Sequence, residues 1–114
     1  MPMSNAIKVA EVGEIEDGGA IKVSRIKTGT LDDIAVFNDG GEYYALDDTC
    51  SHEQASLSEG WIEDATVECP LHGAKFCLRD GSALTLPATT GVAAHLVEIV
   101  GDDVLLTPAE GSLA

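Results

Sequence analysis

Two short stretches of this chain carry the residue types that bind metals. The first reads Thr49-Cys50-Ser51-His52-Glu53-Gln54-Ala55 and the second reads Glu68-Cys69-Pro70-Leu71-His72-Gly73-Ala74. Each supplies one thiol and one imidazole, and sixteen residues separate His52 from Cys69. Two soft thiolates and two imidazoles can satisfy a tetrahedral Zn²⁺ ion or the outer positions of an iron–sulfur cluster. Structural zinc sites more often begin with a C-x₂₋₄-C pair, which makes Cys-x-His an unusual first half. Pro70 stiffens its loop and donates no N–H, while Gly73 lets backbone approach a bulky inorganic group. In an extended first loop, positions 50 and 52 fall on one side of the chain.

The elements that must hold these loops read as strands. Ile7 to Val12 and Ile21 to Ile26 alternate loosely, with Asp17-Gly18-Gly19 between them. Ile34 to Phe37 and Glu42 to Leu46 flank Asn38-Asp39-Gly40-Gly41, a strong hairpin signal. Trp61-Ile62 and Thr66 to Glu68 surround Glu63-Asp64, and Lys75 to Leu78 leads into Arg79-Asp80-Gly81-Ser82. His95 to Val100 and Val104 to Thr107 bracket Gly101-Asp102-Asp103, and Ala109 to Ala114 reads as a loose tail. Twelve glycines so placed leave no window for a long amphipathic helix, so the chain is expected to be all-β, a small sandwich or barrel.

Composition narrows the function. With 114 residues there is room for one domain, 1–114, and no separate catalytic domain. At 45% hydrophobic residues the chain can build a core despite a formal net charge of −14. That charge disfavours nucleic acid and an anionic membrane leaflet, and favours a basic patch on another protein. The start has no basic region followed by a long apolar run, and no stretch of the sequence is apolar enough to span a bilayer. Three cysteines make an odd number, so a cytoplasmic protein is expected rather than a secreted disulfide scaffold. No nucleophile–base pair or phosphate-cradling glycine loop is present. His95 is the only histidine outside the two loops, so two His and a carboxylate cannot assemble an oxygen-activating mononuclear iron site. Cys77, eight residues beyond Cys69, is expected to be a free buried thiol.

Cys50-x-His52 with Cys69-x-x-His72-Gly73 resembles the Rieske [2Fe–2S] motif, and the resemblance extends along most of the chain. It implies a β-sandwich of three sheets with a two-loop cluster-binding subdomain, here about residues 47–90. It also implies that Cys50 and Cys69 hold the inner iron and that His52 and His72 hold the outer one through Nδ1. Leu86-Pro87-Ala88 resembles the proline-containing loop that packs over the cluster, and Trp61 is expected between the ligand loops as an ordinary core aromatic. Respiratory and photosynthetic members carry a second Cys in each loop, joined as a disulfide. Here those positions are Ala55 and Leu71. The high-potential type also aims a Ser and a Tyr hydroxyl at the cluster sulfurs, where this chain has Ala74 and Phe76. Without those donors the potential is expected at the low end of the Rieske range, which runs from roughly −150 to +300 mV.

The resemblance is to Rieske ferredoxins, monomeric carriers that take one electron at a time from a flavin-containing reductase to the terminal oxygenase of a ring-hydroxylating dioxygenase. The run from Cys50 to Gly60 is especially like members serving monocyclic, biaryl and carbazole-type oxygenases. A partner would meet the loop tips, around His52, His72, Glu53, Gln54, Leu71, Gly73 and Pro87. Two alternatives are an accessory module like the small subunit of assimilatory nitrite reductases and a zinc-stabilised binding module.

Overall fold

The computed structural model describes residues 6–50, 55–70, 73–85 and 90–113. In chain order these form β1 (Ile7–Glu11), β2 (Ala20–Val23), the single-turn helix α1 (Arg25–Thr28), β3 (Ile34–Asp39), β4 (Glu42–Asp47), a 3₁₀ turn at Leu57–Glu59, β5 (Trp61–Glu63), β6 (Thr66–Glu68), β7 (Lys75–Cys77), β8 (Ala94–Val100), β9 (Asp103–Thr107) and a second 3₁₀ turn at Glu110–Ser112. Every strand pairing is antiparallel. One sheet runs β1-β9-β8-β4-β3-β2 and a smaller one runs β5-β6-β7. The larger sheet is two halves joined through β8, whose Ala94 and His95 pair with β4 while Leu96 to Val100 pair with β9. The expected all-β, antiparallel architecture is thus present, with two of the three expected sheets continuous as one.

The β3–β4 hairpin is the wall between two cores. Ile34, Val36 and Ala45 face one apolar cluster with Val23, Val104 and Leu106. Their alternates Ala35, Phe37 and Leu46 face a second cluster that includes Leu57, Val67, Phe76 and both Cys50 and Cys69. A strand buried on both faces reads as a continuous apolar run, which is what Ile34-Ala35-Val36-Phe37 is. Its two-residue turn is Gly40-Gly41, at φ +65° and +93°, the left-handed region that a tight hairpin twist demands. Asn38 and Asp39, expected in the turn, lie in β3 instead. There the Asn38 carboxamide donates to the Ile15 carbonyl at 2.8 Å, tying the β1–β2 connection to the wall.

Three expectations are corrected. The strand expected over 21–26 ends at Val23 because Ser24 caps a helical turn, its hydroxyl accepting the Ile26 N–H, and Gly29 closes that turn at φ +73°. The terminal segment is docked rather than loose. The Leu31 N–H donates to the Ser112 carbonyl at 2.8 Å, Leu113 bridges to Thr30, and the Ala109 N–H donates to His95 Nδ1 at 2.9 Å. The third correction is Trp61, which is 63% exposed. It starts a strand whose inward position falls to Ile62, so the aromatic ring projects outward. Ending the chain at Pro108 is expected to cost about 2 kcal/mol, two net hydrogen bonds, read as a lowered urea-unfolding midpoint.

Candidate functional site

The two cysteine loops are built alike on unlike supports. In the first, the Cys50 N–H donates to the Ala55 carbonyl at 2.9 Å; in the second, the Cys69 N–H donates to the Ala74 carbonyl at 2.7 Å. Each thiol therefore opens a hairpin closed five residues on by a buried alanine. Cys50 and Cys69 are 3% and 1% exposed and belong to the same apolar cluster. The stem of the second loop is the β6–β7 ladder, in which Glu68 faces Lys75. Gly73 bends the returning strand at φ +73° and donates its N–H to the Cys69 carbonyl at 3.1 Å. A β-carbon there would lie 3.6 Å from Glu68 Oε2, so the backbone conformation rather than crowding selects glycine.

Among the described residues the first loop is paired by the Thr49–Ser56 bridge, by Cys50 N–H on the Ala55 carbonyl and by Leu57 N–H on the Asp48 carbonyl, and carboxylates add to these. Asp32 accepts the Thr49 N–H at 3.0 Å and the Thr49 hydroxyl at 2.9 Å. Asp48 accepts the Ser56 hydroxyl at 2.6 Å and the Ser58 N–H at 3.0 Å. The two supports meet where a Gly60 β-carbon would collide with the Glu68 carbonyl oxygen, one residue before Cys69. A third segment is laced in similarly. The Leu84 N–H donates to the Lys75 carbonyl, the Lys75 N–H donates to the Thr85 hydroxyl, and the Val92 N–H donates to the Gly81 carbonyl. Gly81, at φ +77°, leaves no space for a side chain beside Val92.

Of the residues singled out from the sequence, the structure brings together Cys50, Cys69, Gly73, Ala74 and Phe76; the last two are fully buried and present no hydroxyl. His52, Glu53, Gln54, Leu71, His72 and Pro87 lie outside the described residues. Trp61 stands apart on the outer face of the small sheet, lining a groove of about 300 Å³ with Glu63, Glu68, Lys75, Leu84 and Thr85. Cys77 is half-buried rather than buried. The nearby Asp80 is held below the usual carboxylate range, chiefly by the Ser82 N–H, then by the Ser82 hydroxyl and the Cys77 thiol. His95 is unavailable as a ligand, since Nδ1 accepts the Ala109 N–H and Nε2 donates to Asp47 at 2.8 Å. Asp32 carries no local signal in the sequence, Asp48 and Gly60 only a D-x-C and an S-E-G spelling, and Gly81 only its place in the turn segment Arg79 to Ser82.

Two buried thiols at the bases of twin hairpins, each loop also carrying a histidine, are a donor set of mixed softness that fits a metal centre with two kinds of site. Residues 5–109 match the Rieske [2Fe-2S] domain family. The chain belongs to that family. Its cofactor is accordingly a Rieske-type [2Fe–2S] cluster, and its likeness to the ferredoxin subunits that follow makes it an electron carrier rather than a catalytic enzyme. It is 47% identical over 103 residues to the 3-phenylpropionate/cinnamic acid dioxygenase ferredoxin subunit of Escherichia coli (strain K12), covering 90% of this chain and 92% of that one. The fold superposes on the ferredoxin of carbazole 1,9a-dioxygenase from Nocardioides aromaticivorans IC177 with a TM-score of 0.84 at 30% identity, covering 93% of this chain and 100% of that one. A second solved structure, a complex of reduced oxygenase and oxidized ferredoxin in carbazole 1,9a-dioxygenase, contains a chain matched at TM-score 0.83 and 30% identity, over 92% of this chain and 94% of that one.

Replacing Gly60 by Ala is expected to cost about 2–3 kcal/mol, because the added methyl meets backbone that cannot move without displacing Cys69. Thermal unfolding and cluster content of the Rieske protein, followed together, check this.

Proposed function

We propose that this Rieske ferredoxin carries one electron at a time from a flavin-containing reductase to the terminal oxygenase of a ring-hydroxylating dioxygenase in the cytoplasm, acting as a monomeric single domain. The observation that carries the reading is the pair of matched hairpins that buries one thiol at the base of each ligand loop. Cys50 and Cys69 hold the inner iron, and His52 and His72, further along each loop, hold the outer one. When bound, the cluster supplies reversible one-electron storage, and the neutral imidazoles favour the reduced state more than thiolates would.

The chain's own residues do the rest. Phe76, Leu57 and Val67 keep water from the thiols, and water-excluded surroundings strengthen every charge interaction there. Ala74 and Phe76 offer no side-chain donor to the cluster sulfurs, which supports a low potential for a Rieske centre. Glu53, Gln54, Leu71, Gly73 and Pro87 are the residues we assign to the partner interface, and the formal charge of −14 steers a partner's approach toward basic surfaces. A carrier must also release its partner, so a small interface is expected. Among the described residues no helix is long and apolar enough to cross a membrane. Relatedness to named ferredoxin subunits favours the carrier over an accessory module, and the family favours iron–sulfur over zinc.

The test is low-temperature EPR of the purified, dithionite-reduced protein. A rhombic signal with average g below that of all-cysteine clusters is expected; a colourless, EPR-silent zinc protein would overturn the reading. Cys50→Ser or Cys69→Ser is expected to abolish the visible spectrum and lower thermal stability, since cluster binding and folding are linked. Leu71→Ala and Pro87→Ala are each expected to slow reduction by the reductase roughly tenfold, equivalent to about 1.4 kcal/mol at the interface. Stopped-flow reduction kinetics measure it.

A further inference from the structure

The Asp48 side chain is 5% exposed, and a carboxylate so buried must be compensated. All of its polar atoms are engaged. Its N–H donates to the Asp33 carbonyl at 2.8 Å, and its carbonyl accepts the Leu57 N–H at 2.7 Å. Its two carboxylate oxygens take the Ser56 hydroxyl and the Ser58 N–H. The cation facing it is Lys22 on β2, at 4.0 Å, whose side chain is 47% exposed. Asp48 thus spans the base of the Cys50 loop from one stem to the other, two residues before the thiol. Neutral backbone pairs already close this loop, Cys50 N–H on the Ala55 carbonyl and Leu57 N–H on the Asp48 carbonyl, as the Cys69 loop is closed by its ladder. A charged group in this place therefore calls for a consequence beyond closure.

We propose that Asp48 is a positioning residue of the cluster site that also sets its potential: its buried carboxylate fixes the Cys50 loop and opposes reduction, and Lys22 moderates that opposition. The proposal rests on the reading that Cys50, His52, Cys69 and His72 hold the cluster. An electron added near a fixed negative charge costs Coulomb energy, more so where water is excluded and salt screens weakly. Removing the carboxylate charge must therefore raise the midpoint potential, and removing the Lys22 charge must lower it. Two opposite shifts from neighbouring substitutions are a signature that loop closure alone does not produce.

The experiment is a redox titration of the purified holoprotein followed by visible circular dichroism, with EPR of each reduced variant. Asp48→Asn keeps the shape and an acceptor for the Ser58 N–H; it is expected to shift the midpoint upward. Lys22→Gln is expected to shift it downward, and the double variant to return toward wild type. Asp32→Asn, on the less buried carboxylate that holds Thr49 in the same loop, is expected to shift it less than Asp48→Asn. Midpoints unchanged in both Asp48→Asn and Lys22→Gln, with wild-type EPR spectra, would overturn the proposal and leave Asp48 a structural clasp. Should Asp48→Asn fail to load the cluster, Lys22→Gln decides: a downward shift supports the proposal and an unmoved potential overturns it. A wild-type protein without a Rieske EPR signal would instead overturn the cluster reading beneath it.

Discussion

Two cysteine thiols have to reach the same dry place from loops that are far apart in sequence, and much of the structure follows from that. A loop that dips into an apolar core must satisfy its backbone on the way. Both loops solve this identically, with the cysteine N–H closing on a carbonyl five residues later. The alanines that supply those carbonyls are buried and small, so the closure takes little volume beneath the thiols. The β3–β4 hairpin supplies the floor, because its buried Ala35, Phe37 and Leu46 belong to the cluster that includes both cysteines.

The two stems are held by different forces. One is a ladder of backbone hydrogen bonds between β6 and β7, insensitive to side-chain identity. The other depends on Asp32 and Asp48, each using both carboxylate oxygens on hydroxyl and amide donors of the loop. Charge-assisted bonds of this kind are shorter and stronger than neutral ones. They also bring negative charge to a site meant to accept an electron. The low potential proposed for this centre accommodates that charge, in keeping with the absence of hydroxyl side chains at Ala74 and Phe76.

Local signals locate the β3–β4 hairpin but spread its turn over Asn38-Asp39-Gly40-Gly41. Strand register narrows the turn to Gly40-Gly41, and the alternation around it sets which residues face which core. The Asp64-Ala65 turn shows the limit of such signals. It adopts φ of +54° and +59° without a glycine, and the Ala65 N–H is held by Asp39 Oδ2 at 2.6 Å, a contact 26 residues away in sequence. The docked tail has the same origin. Nothing in Ala109 to Leu113 distinguishes it from a loose end until His95 Nδ1 and the Thr30–Leu31 backbone are seen waiting for it. Trp61 reads as a core aromatic because tryptophan is apolar, while only strand register says which face it occupies.

What the sequence alone determined was the chemistry and the strand pattern: ligand types and their spacing are written in adjacent letters, as is the period of two that separates the faces of a strand. The tertiary structure decided which side chains hold the ligand loops in place. Asp32, Asp48, Gly60 and Gly81 act on residues up to 17 positions away, through a carboxylate that spans a loop stem or a missing methyl where two backbones cross. Such roles depend on which segments the folded chain brings within a few ångströms, and no local pattern encodes that distance.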